Sequence, residues 1–97
     1  MSAETANVRV TRRVDVVNER GLHARASAKL VKTAAQFDAT VSIVKDGMTV
    51  DAQSIMGLMM LAAGPGCRIT VSAIGRDATQ AVEAVVELVG RRFDEDR

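Results

Sequence analysis

The residues with the most chemistry in this chain lie together, in Gly21-Leu22-His23-Ala24-Arg25-Ala26-Ser27. His23 is the single histidine. It follows a polar Asn-Glu-Arg-Gly turn and opens a run with helical spacing. The start of a helix leaves backbone N–H groups without intrahelical partners and carries partial positive charge, so it attracts anions. Arg25, two residues on, adds a permanent cation whose planar fork matches phosphate oxygens. An imidazole placed there could carry a phosphoryl group and have the arriving charge stabilised. An ordinary imidazole is largely neutral near pH 7, so its ring has a lone pair to attack with. A histidine at a helix start also suits a plain surface position, and these features alone do not separate the two readings.

Composition narrows the alternatives. Ninety-seven residues with a net charge of +1 make one domain with no global case for nucleic-acid binding. One cysteine excludes an internal disulfide framework and suits a reducing compartment. One histidine and one cysteine give no zinc ligand set, so no metal and no cofactor are expected. No hydrolase signature is present, and no apolar run approaches a membrane span or a signal-peptide core. These absences place the expected location in the cytoplasm. Arg9, Arg12, Arg13, Arg20, Arg25, Lys29 and Lys32 load the first third with cations, and Asp94, Glu95 and Asp96 make the end acidic. A basic face around His23 would suit an acidic protein partner.

The elements that must hold these residues can be read in order. Residues 1–7 form a short polar N-terminal tail. Val8, Val10, Val14 and Val16 alternate with polar residues as a half-buried strand, broken at Arg12. A helix is expected from about His23 to Gln36, burying Ala24, Ala28, Val31 and Ala35. Val41 and Ile43 lie in a second strand, Asp46-Gly47 gives a hairpin tip, and Met48, Val50 and Ala52 return. That tip pairs Lys45 with Met48, Ile43 with Val50 and Val41 with Ala52 on one face. Ser54 is the expected cap of a short helix, with no capping-box acid because Gly57 stands there. Met56, Met59 and Met60 either fill the core or stay exposed as an adaptable docking patch. Gly64-Pro65-Gly66 turns the chain into a strand from Cys67 to Ala73. Asp77 with Gln80 looks like a capping box for a last helix that buries Val82, Val85, Val86 and Val89 and ends at Gly90 or runs on to Phe93. Each strand shows one wet face, which favours a mostly antiparallel sheet with helices on one side.

Two stretches carry a family resemblance. Gly21-Leu22-His23-Ala24-Arg25, followed by Ala28-Lys29-Leu30-Val31, resembles the active-site signature of HPr, the histidine phosphocarrier of the bacterial phosphoenolpyruvate-dependent phosphotransferase system. Ser54-Ile55-Met56-Gly57-Leu58-Met59-Met60-Leu61 resembles the segment around that family's regulatory serine. The resemblance runs from about Val8 to Phe93, so the expected organisation is a tail over 1–7, an HPr-like domain over 8–93 and an acidic C-terminal tail over 94–97. It implies an α+β fold, an open-faced β-sandwich of a four-stranded antiparallel sheet with three helices on one face, in the order βαββαβα.

It also implies a function. His23 would take a phosphoryl group from phosphorylated enzyme I on Nδ1 and pass it to a histidine of an EIIA-type domain, in sugar uptake or regulation. The protein would be a carrier and not an enzyme. Arg25 would stabilise the phosphate, and Met56, Met59, Met60, Ala24 and Lys29 would dock partners. Ser54 would be phosphorylated by an HPr kinase/phosphorylase, and the protein would be a monomer. Ala26 stands where that family usually has proline; alanine fits the same first turn and keeps its N–H. The alternative is a regulatory interaction module, controlled at Ser54 or His23 without onward transfer. The ending Arg92-Phe93-Asp94-Glu95-Asp96 resembles that of nitrogen-branch HPr paralogues.

Overall fold

The computed structural model describes residues 8–97, and the tail expected over 1–7 lies outside the described residues. The chain forms β1 (Arg9–Asp15), α1 (Ala24–Ala34), β2 (Thr40–Lys45), β3 (Met48–Asp51), α2 (Ile55–Met60), β4 (Arg68–Ile74) and α3 (Ala78–Gly90), then a short 3-10 turn over Arg92–Asp94. The four strands make one sheet in the order β1-β4-β2-β3, every neighbouring pair antiparallel. This is the βαββαβα open sandwich that the sequence implied.

The register follows from the turn chemistry. Asp46 and Gly47 both take positive φ, at 50° and 80°. That pairing suits the twist of a two-residue hairpin. It sets Lys45 opposite Met48 and Ile43 opposite Val50, as expected, and the Ala52 N–H donates to the Val41 carbonyl at 2.9 Å. Along β4 the core row is Ile69, Val71 and Ala73, paired with Val14, Arg12 and Val10 on one side. Arg12 therefore sits in a core-facing row, and it is tolerated because β1 is an edge strand and the side chain stays exposed.

The helices cover one face. α3 lies against β1 and β4, and α1 packs between α2 and α3. Leu30, Ile43, Leu58, Ile69, Val82 and Phe93 are fully buried. Each such side chain contributes roughly 1.5–3 kcal/mol through removal from water. Cys67 is partly buried against this core and unpaired.

Two expectations are corrected here. α1 buries Ala26, Ser27, Leu30 and Ala34, whereas Ala24 and Ala35 are exposed and Ala28 and Val31 only partly covered. The stripe is rotated because Ser27 belongs to the core: its hydroxyl donates to the Leu22 carbonyl at 3.2 Å, which satisfies a polar group that pattern reading assigns to water. Asp77 does not cap α3 with its side chain. Its Oδ2 instead accepts from the Asp38 N–H at 2.9 Å, tying the helix start to the loop before β2.

The site of His23 and the family of the chain

His23 is the N-cap residue of α1, with φ −74° and ψ 179°. What places it there is the turn before. Gly21 has φ +63°, and a Cβ at that position would fall 2.1 Å from the Ala63 carbonyl oxygen. Only glycine combines that backbone with so close an approach. The Ala63 oxygen then accepts from the Leu22 N–H at 2.9 Å, which pins the site turn to the loop after α2. The buried Asn18 donates its amide to the Gly21 carbonyl at 2.9 Å. The first α-helical bond runs from the Ser27 N–H to the His23 carbonyl at 2.9 Å.

The three N–H groups of Ala24, Arg25 and Ala26 therefore have no intrahelical acceptor. One of them, from Arg25, donates to His23 Nδ1 at 3.3 Å, a long and weak bond. The ring thus turns Nδ1 toward the helix start. Ala26 is fully buried beneath this turn. The Arg25 side chain is exposed and lines the same cleft as the ring.

The other edge of the ring meets a group that no local pattern signals. Glu95, 72 residues away, brings Oε2 to 2.5 Å from His23 Nε2. Its Oε1 accepts from the Asn18 amide at 3.0 Å. Burial works to raise the Glu95 carboxyl, but the hydrogen bonds from Asn18 and His23, with the charges of His23 and Lys29, outweigh it and hold the group below the ordinary carboxylate range. Residues 94–97 fold back along the loop before His23, and the Glu19 N–H donates to the Arg97 carbonyl at 3.0 Å.

The consequence is a mixed electrostatic surface. A cleft of about 600 Å³ opens beside His23. Arg20, Arg25, Lys29 and Arg97 line it, and so do Glu19, Asp94, Glu95 and Asp96. The basic face expected from the first third is thus offset by the acidic end of the chain. Arg9 and Arg13 lie on the open sheet face, where Arg9 donates to Ser72 Oγ at 2.9 Å. Lys29 points its ammonium into the Phe93 carbonyl at 2.7 Å.

The second motif lies next to the first. Ser54 caps α2, its Oγ accepting from the Gly57 N–H at 2.9 Å. Leu58 is fully buried, whereas Met56 and Met60 are about 70% exposed and Met59 40%. A shallow groove of about 300 Å³ runs from Arg20 and His23 to Met59 and Ala63. Met59 and the ring of His23 therefore line one groove, while Met56 and Met60 are exposed on α2 and Ala24 at the start of α1. Among the described residues there is no cluster that could hold a metal ion, and no helix is long and apolar enough to cross a membrane.

Comparison with known proteins agrees with this geometry. The family model described as PTS HPr component phosphorylation site matches residues 10–91. The phosphocarrier protein HPr of Cupriavidus necator is 48% identical over 80 residues, covering 82% of this chain and 90% of its own length. The phosphocarrier protein NPr of Shewanella violacea is 42% identical over 87 residues, covering 90% of this chain and 96% of its own. A crystal structure of HPr from Bacillus anthracis superposes with a TM-score of 0.79 at 47% identity, over 84% of this chain and 96% of that one. One from Thermoanaerobacter tengcongensis gives 0.86 at 36% identity, over 91% and 99%. With both motifs in place, on this fold and over this length, the chain belongs to the HPr family of the phosphotransferase system.

Proposed function

We propose that this protein carries a phosphoryl group on His23 Nδ1, taking it from a phosphohistidine of enzyme I and handing it to a histidine of an EIIA-type domain. As a member of the HPr family it is a phosphocarrier and not an enzyme. The observation that supports the choice of atom is the pose of His23 as an N-cap, with Nδ1 over the N-terminus of α1. A phosphoryl group on that nitrogen would meet the N–H groups of the first turn and the guanidinium of Arg25. A helix terminus contributes about 0.3–1 kcal/mol to an exposed anion. Support of that size suits a carrier, which must also release its phosphate.

In the transfer, the Nδ1 lone pair forms a bond to phosphorus as the donor's N–P bond breaks, and the electron pair of that bond returns to the donor ring. Partners dock on the exposed Met56, Met59 and Met60, of which Met59 shares a groove with the ring, and on Ala24 and Lys29. Ser54 serves as the helix cap, and as a phosphorylation site for an HPr kinase/phosphorylase it would set negative charge against this patch. The carrier works as a monomer in the cytoplasm.

A second reading, in which the protein serves a nitrogen-related regulatory branch, draws on the 42% identity to an NPr. Incubation with enzyme I and labelled phosphoenolpyruvate tests both. Acid-labile label on His23, absent in His23→Ala and lost on adding an EIIA domain, is the expected result. Loss only to a nitrogen-type EIIA would favour the second reading. No label, with an enzyme I that charges a control HPr, would leave a regulatory module that passes no phosphate.

A further inference from the structure

The last residues of the chain are built into the site by backbone geometry that few residues adopt. After α3 ends at Gly90, Arg92, Phe93 and Asp94 take φ values of 60°, 54° and 62°. Three successive non-glycine residues in the left-handed region are costly and persist only where their surroundings hold them. Here the hold is visible. The Phe93 ring is fully buried, its carbonyl takes the Lys29 ammonium, and the Arg97 carbonyl takes the Glu19 N–H. The outcome of this turn is to aim one side chain, Glu95, at the edge of the His23 ring away from Nδ1.

The two edges of the ring then constrain each other. A backbone N–H can only donate, so the Arg25 N–H requires a lone pair on Nδ1. An ionised carboxylate can only accept, so Glu95 requires a proton on Nε2. Both contacts select the same neutral tautomer, with the proton on Nε2 and the free electron pair on Nδ1. The Asn18 amide, fixed in turn by the Gly21 carbonyl, holds the second carboxylate oxygen and sets the angle of the first.

We propose that Glu95 is a positioning residue for phosphoryl transfer: its carboxylate keeps the ring proton on Nε2, so that Nδ1 is the nucleophile, and balances the positive charge that spreads to Nε2 once Nδ1 is bonded to phosphorus. No proton has to leave the ring as the N–P bond forms. In the forward step the Nδ1 pair goes to phosphorus and the donor recovers its own. In the return step the N–P electron pair collapses back onto Nδ1 as phosphorus bonds to the acceptor nitrogen. Throughout, the Nε2 proton stays between the ring and Glu95. The same division of labour, a carboxylate orienting an imidazole whose far nitrogen does the chemistry, operates in the hydrolase triad.

This inference rests on His23 being the phosphoryl acceptor, and the test keeps the two apart. The tautomer is read on the unphosphorylated protein, by two-bond correlation of the ring protons with labelled Nδ1 and Nε2 above pH 7.5. The native protein is expected to show the Nε2–H tautomer almost alone. Glu95→Gln can turn its carboxamide N–H toward the ring, and is expected to shift the population toward the Nδ1–H form. Its kcat for transfer from phosphorylated enzyme I should fall about tenfold with KM little changed, and Glu95→Asp should recover part of the loss. A Glu95→Gln protein with the native tautomer and native kcat overturns the proposal. So does a variant that raises KM alone, since that is what a purely structural strap would do. Labelling of His23→Ala by enzyme I would instead refute the choice of acceptor and leave the tautomer result standing.

Discussion

The ammonium of Lys29 donates to the carbonyl oxygen of Phe93 at 2.7 Å, which fastens the helix that begins at the site histidine to the segment that ends over it. The bond is charge-assisted and partly buried, and its acceptor belongs to a left-handed turn with no regular helical partner. Lys29→Met keeps the apolar stem and removes the donor. It is expected to lower unfolding stability by about 1–2 kcal/mol. Amide exchange at Glu19 and Glu95 should quicken by more than the global loss accounts for. Lys32→Met, on the exposed side of the same helix, should stay within about 0.5 kcal/mol of the native protein. Urea denaturation of the pair of variants checks the contrast.

The Glu95 carboxyl makes the strap sensitive to acid. Burial works against its ionised form, but the hydrogen bonds from Asn18 and His23 prevail and the folded protein holds it below its ordinary value of 4.5. For a carboxyl depressed on folding, the stabilisation is present above the unfolded value and disappears as pH falls through the folded one. The native protein should therefore exceed Glu95→Gln in stability at pH 7, and the gap should close below about pH 4.5. Asp94 is also depressed, first by its hydrogen bond from Arg91, but it is exposed, so solvent screening should leave its own pH-dependent gap the smaller of the two. Denaturant melts of native protein, Glu95→Gln and Asp94→Asn between pH 3 and 7 measure this. Parallel curves for native protein and Glu95→Gln would contradict it.

How much of this was legible depends on the range of the interaction. The hairpin register was readable because Asp46-Gly47 names its own turn and the apolar residues at 41, 43, 50 and 52 agree with it. The Ser54 cap was readable for the same reason, since its partner lies three residues away. The phase of α1 was not, because Ser27 is buried by a bond to Leu22 that only the finished turn creates. Residues 94–97 read as a solvated acidic tail, since four polar residues at a chain end carry no periodicity. What draws them in is Phe93, buried at the end of α3, together with Lys29, Asn18 and Glu19, all more than sixty residues earlier. His23 is marked by the resemblance of its surrounding residues to the HPr signature together with its place at a helix start, whereas Glu95 carries no local sign of its contact 72 residues away.

Gly21 offers a direct test of how the site turn is held. An alanine Cβ would stand 2.1 Å from the Ala63 oxygen and 2.8 Å from the Gly64 Cα, both backbone atoms that cannot swing away. The positive φ adds a penalty of its own. Gly21→Ala is expected to cost about 2 kcal/mol or more, by displacing the loop after α2 and with it the N-cap pose of His23. Gly64→Ala, where a Cβ meets nothing within 4 Å, should be nearly neutral. Thermal melts order the two variants, and equal melting temperatures would mean that the turn relaxes without loss.

The last prediction separates docking from folding on the six residues of α2. Met60 is 69% exposed and Leu58 fully buried, two positions apart on the same helix. Met60→Glu leaves the core untouched and should shift stability by no more than about 0.5 kcal/mol, while raising the KM for phosphorylated enzyme I by placing a charge on an apolar contact. Leu58→Ala should cost about 2–5 kcal/mol through the cavity it leaves, with KM intact in whatever fraction remains folded. Ser54→Ala should cost about 1 kcal/mol as the loss of a cap and leave KM unchanged. Ser54→Asp retains a side-chain acceptor for the Gly57 N–H and adds a negative charge beside the methionines, so it should raise KM as Met60→Glu does. Steady-state transfer assays on the four variants, each paired with a denaturation curve, read both axes at once. A Met60→Glu protein with native KM would place the enzyme I interface elsewhere on the molecule.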